Sequence, residues 1–132
     1  MTVPDLIPST ASDLDSRIVR TDLGIACATV VTATLLSATA SALLPVGWWF
    51  VPLVALGWAL LTAASDRYRA GIYALFGVGA LAMLGIVWWV ANGSDPLPMV
   101  PLLLYGLGLG SAANRLLFGV IRPVPAFRRE RE

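Results

Sequence analysis

Histidine, lysine and glutamine are absent from the chain, and cysteine occurs once, at Cys27. Without histidine, the commonest metal ligand and the commonest general base are missing together. That argues against haem and histidine–metal centres, and no cofactor, metal site or catalytic residue is expected. A lone cysteine cannot close an internal disulfide or supply the paired thiols of a quinone-linked redox enzyme; Cys27 is expected to be a small packing residue. Charge is scarce too. Only 13% of residues are charged, against roughly 25% in an ordinary soluble domain. The net charge of +1 gives no basis for nucleic-acid binding.

What remains is apolar. Hydrophobic residues make up 58% of 132 positions, with a mean hydropathy of +0.79. One domain of this length has no aqueous core large enough to bury them. Residues 23–65 carry no charge, about twice the ~20 residues a spanning helix needs, and Leu44-Pro45-Val46-Gly47 interrupts them as a hairpin turn would. The pattern predicts an all-α membrane protein, a four-transmembrane-helix up-down bundle, with helices over about 22–44, 47–65, 70–91 and 98–120. The turn Asp66-Arg67-Tyr68-Arg69 joins the second and third helices, and Asn92-Gly93-Ser94-Asp95-Pro96 the third and fourth. Nothing alternates with the period of two that a membrane barrel strand shows.

Residues 1–21 are expected to form a cytoplasmic segment. Ser12 and Asp15 have capping-box spacing, which predicts a short interfacial helix near 12–20 after a coil at 1–11. Residues 121–132 form a polar tail that Pro123 and Pro125 prevent from continuing the helix, so it should leave the membrane. Arg17 and Arg20 followed by the run Leu23–Leu36 also resemble a signal peptide, but retention as the first span is the expectation.

Orientation follows from the arginines, the only basic residues. Eight of the nine lie before the first helix, in the second loop, or beyond the fourth helix, so the positive-inside rule places both termini in the cytoplasm of a multi-pass plasma-membrane protein. Trp48, Trp49, Trp88 and Trp89 fall at the opposite ends, as an interfacial belt does. Trp58 and Tyr105 lie deeper and are expected to pack.

The ninth arginine, Arg115, lies inside the fourth span beside Asn114. These two are the candidate lipid or anion contact. The competing expectation is snorkelling, since Arg115 is close enough to the inner boundary for its stem to reach headgroups. Asp22, Asp66 and Asp95 all fall at boundaries, leaving no acid within the membrane. Small residues mark close helix contacts: Gly106 and Gly110 at GxxxG spacing, Gly108 and Ala112 on an adjacent stripe, and Ala33, Ser37 and Ser41 on the first helix. Such faces pack within a bundle or against another subunit, and the internal contact is expected. Val51-Pro52-Leu53 recurs as Val100-Pro101-Leu102, and Gly24-Ile25 as Gly71-Ile72, which raises two tandem helical hairpins as an alternative to chance similarity.

Small multidrug exporters share the length and span count, but their pattern needs a glutamate in the first helix and this chain has none. The glycine- and asparagine-rich pattern of small fluoride channels is also missing. The expected role is therefore a non-catalytic subunit or assembly partner of a membrane complex, in contact with the bilayer and with another membrane protein or itself. A small homo-oligomeric channel or transporter is the alternative.

Overall fold

The computed structural model describes residues 7–39 and 48–130, with side chains over 13–38 and 48–130. The described residues are helical almost throughout, and they contain no strand. Helix α1 runs Ile7–Thr39, α2 Phe50–Arg67, α3 Arg69–Ala91, α4 Val100–Leu117 and α5 Ala126–Arg129.

Helix α1 is continuous from Ile7, through the last residues of the expected coil and the short surface helix expected to run into the first span. At ~1.5 Å per residue its 33 residues extend roughly 50 Å. Its threonines suit an apolar setting because Thr29, Thr32 and Thr34 donate their hydroxyls to the carbonyls of Ile25, Ala28 and Val30, one turn back. A hydroxyl satisfied by its own helix needs no water. The expected turn at residues 44–47, and Ser41, lie outside the described residues.

The turn expected over residues 66–69 shrinks to one residue. Tyr68 alone is extended (φ −137°, ψ 141°), and Asp66 and Arg67 complete α2 while Arg69 opens α3. Gly71 permits so sharp a reversal. A Cβ there would collide with the backbone of Ala64 and lie 2.5 Å from Ser65 N. Helix α3 ends in a Schellman motif: Gly93 takes φ +74°, and the amides of Gly93 and Ser94 bond the carbonyls of Val90 and Trp89. Asp95 Oδ1 then accepts from Leu97 N–H at 2.9 Å and starts the 3-10 turn Leu97–Met99 that leads into α4.

Both Val-Pro-Leu triplets open helices, with Pro52 and Pro101 in first turns, where proline's missing N–H is no loss. This local role accounts for the recurrence. The sequential pairs α1–α2 and α3–α4 form no extensive interface; α4 packs against α1 and α2, and α3 against α2. The tandem-hairpin arrangement is therefore not what the described contacts form.

Helix α4 is the centre of a row ordered α1–α4–α2–α3. It runs antiparallel to α1, since Tyr105 meets Thr34 near its start and Arg115 meets Asp22 near its end. It runs parallel to α2: Gly106 faces Val54, Gly110 faces Ala55 and Trp58, and Asn114 reaches Asp66. Glycines make this central position work. A Cβ on Gly110 would lie 2.5 Å from the Ala55 carbonyl oxygen, and one on Gly108 would lie 2.7 Å from Val30 Cγ2 of α1. Gly106 and Gly110 are turned to one neighbour and Gly108 to the other. Ala112 is half-buried. On α1 the buried residues include Ile18, Ala26 and Ala33, and Ser37 is half-buried.

Three segments are long and apolar enough to cross a membrane: Asp13–Ala38, Arg69–Ala91 and Leu97–Leu117. Helix α2, at 18 residues with Asp66 and Arg67 in its last turn, is the short fourth. Among the residues of α3 only Gly71 is buried, while Tyr73, Phe76, Leu81, Leu84 and Trp88 are exposed. So large a continuous apolar surface is unfavourable in water and fits a helix long and apolar enough to cross a membrane.

Candidate functional site

Helix direction sorts the polar residues. The start of α1 and the ends of α2 and α4 meet at one extremity of the row, and the paired tryptophans lie at the other. Asp22, Asp66, Asn114 and Arg115 thereby converge although they are far apart in sequence.

Arg115 does not snorkel. It is 5% exposed, with Nε 2.5 Å from Asp22 Oδ2 and Nη2 2.8 Å from Asp66 Oδ2. Asp66, expected at a solvated boundary, is 4% exposed and also accepts a bond from Asn114 Nδ2 at 3.3 Å. The inner end of α4 comes at Leu117, short of the expected 120. The chain then reverses over residues 118–122 through amides of Ile121 and Arg122 bonded to the carbonyls of Leu116 and Leu117.

After Pro123 and Pro125 the tail turns back, burying Val124 and carrying α5 onto the cluster. Arg128 approaches Asp22 at 3.7 Å and Asp66 at 3.8 Å. Arg129 pairs with Asp15 at 3.1 Å and donates through Nε and Nη2 to the Val124 carbonyl. The Arg67 guanidinium lies 4.5 Å from the centre of the Phe118 ring, a cation–π contact that ties α2 to the same turn.

Two acids and two arginines give this tetrad zero net charge. Removing charges from water is costly, and close pairing with further hydrogen bonds is what offsets it. Arg115 holds α1, α2 and α4 together, so it is the keystone of the cluster.

Beside the tetrad, lined by residues of α1, α2, α3 and α4, lies a half-open cavity of about 250 Å³. Its polar lining includes Asp22, Thr62, Ser111, Asn114 and Arg115; Ile25, Trp58 and Leu75 supply apolar wall. Trp58 Nε1 donates to Ser111 Oγ at 2.9 Å, and Tyr105 shares a hydroxyl bond with Thr34 at 2.9 Å, so both deep aromatics join α4 to a neighbour. Arg115 Nη1 and Asn114 Oδ1 are buried with no hydrogen-bond partner among the described residues. No group of acids and cysteine arranged to hold a metal is present among the described residues.

No known family, characterised protein or solved structure matches the chain. The site is accordingly interpreted from its own chemistry.

Of the sequence candidates, Arg115 and Asn114 meet in the site, while the glycines lie outside it as the packing that positions them. Asp22, Asp66 and Arg128 were not foreseen there. A signal for the first two existed: an arginine within an apolar span needs a counter-charge, and two acids lie at the matching ends of neighbouring helices. Arg128 had no comparable signal, because its position depends on the reversal after α4.

Proposed function

We propose that the chain is a four-crossing plasma-membrane protein, both termini cytoplasmic, that serves as a non-catalytic subunit or assembly partner of a membrane complex. The observation that carries this proposal is α3. It ends the row, packs extensively on α2 alone, and leaves an apolar surface along its length for a partner or a second copy. Gly77 and Gly79 on it face open space, the small-residue character that lets another helix approach closely in lipid. The fourth crossing is supported by α2 lying parallel to α4 and matching its 18 residues, which puts its ends at the same depths.

With Cys27 replaced by alanine, a cysteine at Ser94 should react with a membrane-impermeant maleimide on intact cells, and one at Glu130 only after permeabilisation. The reverse pattern, or equal labelling, overturns the orientation. Affinity purification in mild detergent should recover a complex or a homo-oligomer; a lone monomer under every mild condition counts against the assembly role. Gly77→Leu should leave the melting temperature unchanged, within about 0.5 kcal/mol of stability, and reduce the recovered partner several-fold.

The second reading is a small homo-oligomeric channel or transporter. The ionisable lining of the cavity favours it, because charged residues within membranes mark transport paths. Against it, the four charges are paired with one another. Ion or solute flux into liposomes carrying the purified chain would favour it.

A further inference from the structure

We infer that a second pocket, between the start of α1 and the returning tail, binds the phosphate of an anionic phospholipid headgroup. Its volume is about 110 Å³, and Leu14, Arg17, Ile18, Thr21, Asp22 and Arg128 line it. It exists because the chain reverses after α4 and lays Arg128 against α1. Asp22 and Arg128 also line the larger cavity, so they stand between the two.

Two lining groups are uncommitted. Arg17 is exposed and makes no ion pair with any described residue. Thr21 is exposed as well. Thr29, Thr32 and Thr34 donate back to their own helix, whereas the Thr21 hydroxyl makes no bond among the described residues. Arg17 and Thr21 are one helical turn apart, so they share a face of α1. Both are donors, and a phosphate offers an oxygen to each. Arginine suits that ligand because its planar guanidinium engages two phosphate oxygens at once.

Charge sets the sign of the ligand. The tetrad that supplies Asp22 and Arg128 is neutral, so the surplus in this pocket is the one positive charge of Arg17. A single phosphodiester balances it. A cation would find only Asp22, which Arg115 already holds at 2.5 Å.

Depth makes the phosphate a lipid's. Asp22 borders the uncharged run 23–65. Thr21 and Arg17 lie roughly 2 and 8 Å beyond Asp22 along the helix axis, an interval comparable to the headgroup layer, roughly 5–8 Å on each side of the hydrocarbon. An anionic leaflet attracts every exposed arginine at this end. Arg17, however, stands in a pocket beside a second donor, and Arg20, also exposed, does not line it. This inference rests on α1 crossing the membrane with this end at its surface, and not on the assembly role.

The test uses the full chain purified in a maltoside detergent. It is titrated with phosphatidylglycerol or phosphatidylcholine of identical acyl chains, and bound lipid is counted by native mass spectrometry. Phosphatidylglycerol should bind about tenfold more tightly, the scale of one hydrogen bond to a charged group. Arg17→Gln should remove that preference, and Arg20→Gln should leave it within about twofold. Both side chains are exposed, so both variants should melt as the parent does. Inorganic phosphate at the lipid's concentration should displace nothing.

Equal binding of the two lipids would overturn the inference, because a pocket with surplus positive charge must discriminate between them. An equal loss in Arg20→Gln would mean diffuse attraction to the arginine-rich end, and displacement by equimolar phosphate would mean a soluble ligand; either overturns it. So does a preference undiminished in Arg17→Gln. Maleimide labelling at Ser94 and Glu130 tests insertion separately, so failure of the crossing and failure of the site are distinguishable.

Discussion

Arg115→Leu should lower the stability of the purified chain by about 3–5 kcal/mol, the typical consequence of removing one partner from a buried ion pair. A protein stable by roughly 5–15 kcal/mol would lose a large part of its margin. The size follows from what is left behind. Asp22 and Asp66 would keep the longer ion pairs to Arg128, at 3.7 and 3.8 Å, and Asp66 its bond from Asn114, but would lose the contacts at 2.5 and 2.8 Å. The combined change Asp22→Asn, Asp66→Asn, Arg115→Leu should recover part of the loss, because neutral amides no longer demand a counter-charge. Denaturation in detergent, followed by circular dichroism, measures all three. A loss under about 1 kcal/mol for Arg115→Leu would mean that the arginine is solvated, as a snorkelling side chain is.

Gly110→Leu should force α4 away from α2 and cost about 3 kcal/mol or more, at or above the upper end of ordinary overpacking. Even the first carbon of the new side chain would lie 2.5 Å from the Ala55 carbonyl oxygen and 3.1 Å from Trp58 Cβ. The first of these is a backbone atom that no rotamer change can move, so the helices must separate. Separation would also stretch the Trp58–Ser111 bond. The neighbouring Leu109 is exposed, and Leu109→Ala should change stability by no more than about 0.5 kcal/mol. Similar melting for the two variants would show that α2 and α4 are not in close contact.

Helices, their apolar character and the polarised charge were legible in the sequence because each is a local or additive property. Apolar length marks α1, α3 and α4, and Pro/Gly punctuation places most of their ends to within a few residues. Gly106, Gly108 and Gly110 announced a close contact, though not that two different helices share it. The order of helices in the row was not legible, since apolar faces in lipid carry little information about which neighbour they meet. The cluster was half legible. Arg115 stood out as a charge in an apolar run, but Asp22 and Asp66 looked like boundary markers until helix direction brought them to the same end. The path of the tail was not legible for a related reason. Pro123 and Pro125 stop a helix, yet they do not determine where the chain goes afterwards; the acids already waiting at the cluster do.

The bond between Arg115 and Asp22 closes over 93 residues, joining the first membrane helix to the last. During synthesis, the acids of α1 and α2 are therefore made before their counter-charge, and only the arrival of α4 neutralises them. A product truncated before residue 115 would keep both carboxylates with neither Arg115 nor Arg128. The ion pair thus ties the durability of the earliest segment to completion of the latest, so an incomplete copy is chemically distinguishable from a finished one.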